Sequence, residues 1–78
     1  MSQNLFVRKY RPSKGETLPD ALKFILRNKW GLTSSPMRIE NGDSDVLCFL
    51  EGLEAANVNG ADELLSMLDG GDVEIWLE

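Results

Sequence analysis

Residues 5–15 read LFVRKYRPSKG and residues 73–78 read VEIWLE. The fold turns on whether these two ends of the chain are neighbours. Leu5 to Tyr10 predicts a strand, with Phe6 and Tyr10 suited to a pleated surface, which Pro12 and Gly15 then end. Val73 to Leu77 predicts another, with Val73, Ile75 and Leu77 on one face and Glu74, Trp76 and Glu78 on the other. The faces fit: Leu5 and Val7 match the aliphatic side of the last strand, while Phe6, Arg8 and Tyr10 match its acidic and aromatic side. Opposite charges and aromatic pairs across strands contribute about 0.2–1 kcal/mol each, and an arginine over Trp76 adds a cation–π contact. Adjacency therefore accounts for the mixture of basic and aromatic residues without a ligand.

The segments between them read as helices and one short strand. Thr17 is a suitable cap for a helix over about 18–30, with Pro19 and Asp20 in its first turn and Gly31 as its stop. Leu18, Ala21, Leu22, Ile25 and Leu26 recur at helical spacing. Phe24 and Trp30 widen this arc on opposite sides, which leaves Asp20, Lys23 and Arg27 as a narrow polar stripe. Such a helix lies beneath the sheet and beside another helix, or else presents Phe24 or Trp30 to a partner.

Met37 to Glu40 predicts a short strand, after which Gly42 permits a turn and Asp43 or Ser44 caps a second helix. Val46, Phe49, Leu50, Leu53 and Ala56 form its buried stripe, with Glu51 and Glu54 pointing away. Asn57 suits a left-handed cap, and Asn59 suits the start of a third helix over roughly 60–69. There Leu64, Leu65 and Leu68 face the core, and Gly70 and Gly71 end it. The expected fold is α+β: two layers, a three-stranded sheet in β-α-β-α-α-β order with helices on one face.

Seventy-eight residues make one domain, 1–78, because so short a chain cannot divide its apolar residues between two cores. Hydrophobic residues at 42% and charged residues at 27% lie in the globular range, away from the composition of disordered chains. A single cysteine excludes an internal disulfide, and no charged segment followed by an apolar one opens the chain, so a cytoplasmic location is expected. Runs such as VLCFL fall far short of the roughly 20 residues that cross a bilayer, so no membrane is expected.

Charge is segregated. All eight basic residues lie in residues 1–38, whereas residues 39–78 hold eleven acids and no Lys or Arg. The net charge of −5 is thus the balance of a +6 half and a −11 half.

Catalytic templates find no footing. The chain has no histidine, which removes the commonest general base and metal ligand. Cys48, beside the buried stripe of the second helix with no local cation, reads as a small inert hydrophobe. The run NGDSD offers Asp43 and Asp45, yet Leu47 and the lack of a following glycine at the required offset defeat a calcium loop. No catalytic residue, metal or cofactor is expected, and the chain reads as non-enzymatic.

A surface remains. Asp43, Asp45, Glu51, Glu54, Asp62 and Glu63 decorate two consecutive helices, and one side of the molecule is expected to be strongly negative. It reads either as a solvated face or as one that docks on a basic groove, with Trp76, Trp30 and Met67 as candidate apolar anchors. The alternative site is Arg8, Lys9, Tyr10, Arg11 and Lys14, a strand surface that would stack bases and neutralise phosphates. A third alternative is an assembly subunit that self-associates through a sheet edge or the first helix.

The run RKYRP, Arg8 to Pro12, resembles the opening of clamp-loader ATPases over those five residues. No GxxxxGK[ST] follows, so the resemblance brings no ATPase chemistry with it. In size, acidity and lack of catalytic motifs the chain looks like the small inhibitors that phages carry, including anti-CRISPR proteins and DNA mimics. That likeness implies a protein partner with a basic, nucleic-acid-handling surface and assigns no residue roles.

Overall fold

The computed structural model describes residues 3–10 and 14–78. Its elements are β1 (Leu5–Lys9), β2 (Glu16–Leu18), α1 (Asp20–Trp30), β3 (Met37–Ile39), α2 (Ser44–Ala55), α3 (Ala61–Asp69) and β4 (Val73–Leu77). The four strands form one antiparallel sheet in the order β2-β1-β4-β3, so the two ends of the chain are its central pair. Register sets Leu5 opposite Leu77, Phe6 opposite Trp76, Val7 opposite Ile75 and Arg8 opposite Glu74. The ladder continues past the strands, where the Asn4 and Glu78 backbones exchange hydrogen bonds of 2.8 and 3.0 Å.

The sheet has four strands rather than three, and the added one corrects the start of the first helix. Leu18 precedes Pro19, whose ring pushes its neighbour out of the helical region into extended backbone. Thr17 therefore pairs with Phe6 as part of β2 and caps nothing. Pro19 stands at the N-cap position, and its carbonyl accepts the Lys23 N–H at 3.1 Å.

Helix α1 buries Leu22, Lys23 and Leu26 and closes on Gly31, whose φ of 62° is the left-handed cap. Two expectations fail here. Ala21 and Phe24 point outward and Lys23 points inward. Phe24 lies about 200° round the helix from Leu22, whereas Lys23 borders Trp30 on the inner side. Its apolar stem is covered, and its ammonium reaches the Gln3 carbonyl at 2.7 Å and Asp20 at 3.4 Å.

Helix α2 starts as expected, with Asp43 Oδ1 accepting the N–H groups of Asp45 and Val46 at 3.0 and 3.2 Å. Leu50 is its fully buried residue, with Val46, Leu47, Phe49 and Leu53 half-buried around it, whereas Ala56 is exposed. Cys48 is exposed too, not tucked beside the core. The helix ends in a left-handed Asn57 at φ 61°, which lets Val58 N–H reach the Leu53 carbonyl at 3.0 Å and Asn57 N–H the Glu54 carbonyl at 2.9 Å.

Helix α3 is capped by Gly60 rather than Asn59. Gly60 holds φ at 96°, and a Cβ there would stand 2.7 Å from Pro19 Cδ, so the starts of α1 and α3 are pressed together where only glycine fits. Leu64 and Leu68 join Leu22, Leu26, Leu50 and the inner residues Leu5, Val7, Val73, Ile75 and Leu77 in one core; Leu65 is only partly buried. The opposite sheet face, with Phe6, Arg8, Glu74 and Trp76, is half-exposed. Among the described residues no helix is long and apolar enough to cross a membrane.

Candidate functional site

A groove of about 500 Å³ runs between α2 and α3. Its α2 side presents Leu47, Glu51 and Glu54, spaced four and three residues apart, which places them on one helical stripe. Its α3 side presents Asp62, Leu65, Ser66 and Asp69 on the same kind of stripe, with Leu68 beneath. A second hollow of about 300 Å³ shares Glu54 and Asp62 and extends past Asn57, Val58 and Asn59. The result is an open acidic channel with leucines in its lining.

Asn41 also lines the groove and is held by the sheet. Its N–H donates to Asp72 Oδ1 at 3.0 Å, while the Arg38 guanidinium binds Asp72 Oδ2 at 2.7 Å. The Asn41 N–H, followed by the Arg38 hydrogen bond, holds the Asp72 carboxyl below its ordinary range, and Asp72 in turn raises Arg38. Within the groove, Glu51, Glu54, Asp62 and Asp69 form no ion pair among the described residues. A concentration of carboxylates without resident cations attracts ammonium or guanidinium groups from outside. No cluster of His, Cys, Asp and Glu suited to a metal ion occurs among the described residues.

Of the residues singled out in the sequence, Glu51, Glu54 and Asp62 converge on the groove. Asp43 and Asp45 stay at the exposed start of α2, where Asp43 serves as cap, and Glu63 is exposed on α3 outside the lining. Trp76 lies on the outer sheet face, stacked on Phe6 at 5.6 Å between ring centroids and 15° between planes, with its indole N–H donating to Glu78 at 2.9 Å. Trp30 packs on Phe49 at 5.9 Å, and Met67 is half-buried against the core, so the three candidate anchors do not meet at the groove. Sequence reading missed Leu47, Leu65, Ser66 and Asp69. Asp69 follows Asp62 by seven residues, two helical turns, and that spacing was the available signal.

Two of the four basic residues of the alternative site, Arg8 and Lys9, are engaged within the molecule. Arg8 binds Glu74 at 2.9 Å and lies 5.0 Å from the Trp76 ring centre. Lys9 donates to the Met67 carbonyl at the end of α3, where Gly70 leaves room for its ammonium. Tyr10 lies under Arg38 at 3.9 Å, Lys14 is exposed, and Arg11 falls outside the described residues. Comparison with protein-family models, with curated proteins and with solved structures found no match to this chain.

Proposed function

We propose that the chain is a non-enzymatic, cytoplasmic binding protein that offers the α2–α3 groove to a basic surface on a partner protein. The observation that carries this is the convergence of Glu51, Glu54, Asp62 and Asp69 on one leucine-containing channel, in a half of the chain that has no Lys or Arg. Carboxylates supply steering and choice of partner, and the partly buried Leu47 and Leu65 supply apolar contact. The concrete form is an inhibitor or regulator of a nucleic-acid-handling machine, of the DNA-mimic or anti-CRISPR kind, which blocks a groove meant for a polyanion. Direct nucleic-acid binding through the first strand is the weaker reading, since Arg8 is engaged by Glu74 and Lys9 by the Met67 carbonyl.

Immobilised protein tests this. A bound partner is expected to be released by duplex DNA or RNA and by salt, and to be lost when Glu51→Gln, Glu54→Gln and Asp62→Asn are combined. Retention of the chain itself on a nucleic-acid resin, weakened by Arg8→Ala and Lys9→Ala, would contradict the proposal and favour the strand. Partner capture unchanged by the groove substitutions would contradict it as well.

A further inference from the structure

The outward face of α1 has the opposite character to the groove. Phe24, 54% exposed, is the one large hydrophobic side chain left in solvent among the described residues. The Lys23 ammonium lies 4.8 Å and the Arg27 guanidinium 5.3 Å from its ring centre. Further along, exposed Lys29 stands 5.0 Å from the Phe49 ring centre. Lys23 is already held by the Gln3 carbonyl and Asp20, so the exposed cations of this face are Arg27 and Lys29, and an exposed aromatic beside them is a contact surface for something apolar and anionic.

The chain itself carries a matching surface. The groove sets carboxylates around Leu47 and Leu65, and its volume of about 500 Å³ admits an aromatic side chain. None of its lining comes from α1, so Phe24 does not fill it from within the same molecule. We infer that Phe24 of one copy docks in the groove of a second copy, with Arg27 and Lys29 meeting Glu51, Glu54 and Asp62. The two surfaces differ, so the contact is heterologous and every copy carries both halves of it. This inference shares with the proposed function the premise that the groove binds. It adds that self-association and the basic partner compete for one site, so dilution or salt opens the groove.

Sedimentation velocity on the full chain, from micromolar to near-millimolar protein, tests it. The wild-type mass is expected to rise with concentration and to fall with added salt. Phe24→Ala with Arg27→Glu removes one half of the contact, and Glu51→Gln, Glu54→Gln and Asp62→Asn remove the other. Each set is expected to weaken self-association about tenfold or more. Mixed one to one, the two variants are expected to form a complex again, because one retains the groove and the other retains Phe24. Recovery on mixing also shows that both fold.

A wild-type monomer throughout the range, undiminished association of either variant alone, or no complex on mixing would overturn the inference. A short DNA duplex that binds the monomer through Phe24 and Arg27 would assign the face to nucleic acid instead and overturn it equally. The Phe24 and Arg27 variant keeps its groove. If that variant captures a basic partner while the wild type stays monomeric, the self-association fails alone. If the wild type associates but binds no basic partner, the proposed function fails alone.

Discussion

At the scale of single residues, Asp72 links the sheet to the groove. Asn41 N–H and Arg38 both favour its ionised form, and Arg38 stays cationic across the pH range in which proteins are studied, so only the carboxylate titrates. An unfolded aspartate titrates near about 3.9, and the folded one titrates lower. The stabilisation is therefore complete above the unfolded value and is lost as pH falls through the folded one. Asp72→Asn is expected to be destabilising at neutral pH and to converge with the wild type in strong acid. Urea melts across that range check it, and parallel curves would show that Asp72 contributes nothing through its charge. The cap of α2 was legible in the sequence to within one residue, Asp43 or Ser44, because capping is local chemistry between a side-chain oxygen and the N–H groups two and three residues on. Lys23 was not legible. A hydropathy pattern counts it as polar, although its stem is buried and only its ammonium needs a partner, here the Gln3 carbonyl.

Among elements, the β1–β4 pairing was legible since two alternating strands carried complementary residues on both faces, and Arg8 meets Glu74 as that pattern requires. Strand β2 was hidden. Three residues are too few to show a period, and its one sequence signal, an extended Leu18 before Pro19, competed with a plausible Thr17 cap. The α2–α3 connection was half legible: Asn57 adopts the left-handed conformation its side chain favours, but the choice of Gly60 over Asn59 as cap depends on Pro19, which is distant in sequence. That contact makes a prediction about how helices are joined. Gly60→Ala places a methyl group against the Pro19 ring and holds alanine at φ 96°. The substitution is expected to destabilise by about 2 kcal/mol or more. Gly42→Ala, where no atom lies within 4 Å of the added carbon and φ is not positive, is the matched control. Equal melting temperatures for the two variants would show that the junction yields freely.

For the whole molecule, the groove is an electrostatic burden on a small domain. Glu51 and Glu54 are like charges three residues apart on α2, and Glu54 stands at the helix end where the macrodipole already favours cations. Asp62, in the first turn of α3, is favourably placed and belongs outside this comparison. If the carboxylates are kept for binding, removing the two unfavourable ones relieves repulsion at the expense of recognition. Glu51→Gln with Glu54→Gln is therefore expected to raise Tm by about 1–4 °C, given about 4–8 °C per kcal/mol for domains of this size and about 0.2–0.5 kcal/mol for the like-charge pair. The gain is expected to shrink as salt screens the wild type over a Debye length of about 10 Å at 0.1 M. Scanning calorimetry at low and high ionic strength reads both effects, and binding assays on the same variant read the accompanying loss. A lower Tm would mean that these carboxylates hold the fold together. In that case the α2–α3 channel would be a by-product of helix packing, with no claim to be a binding surface.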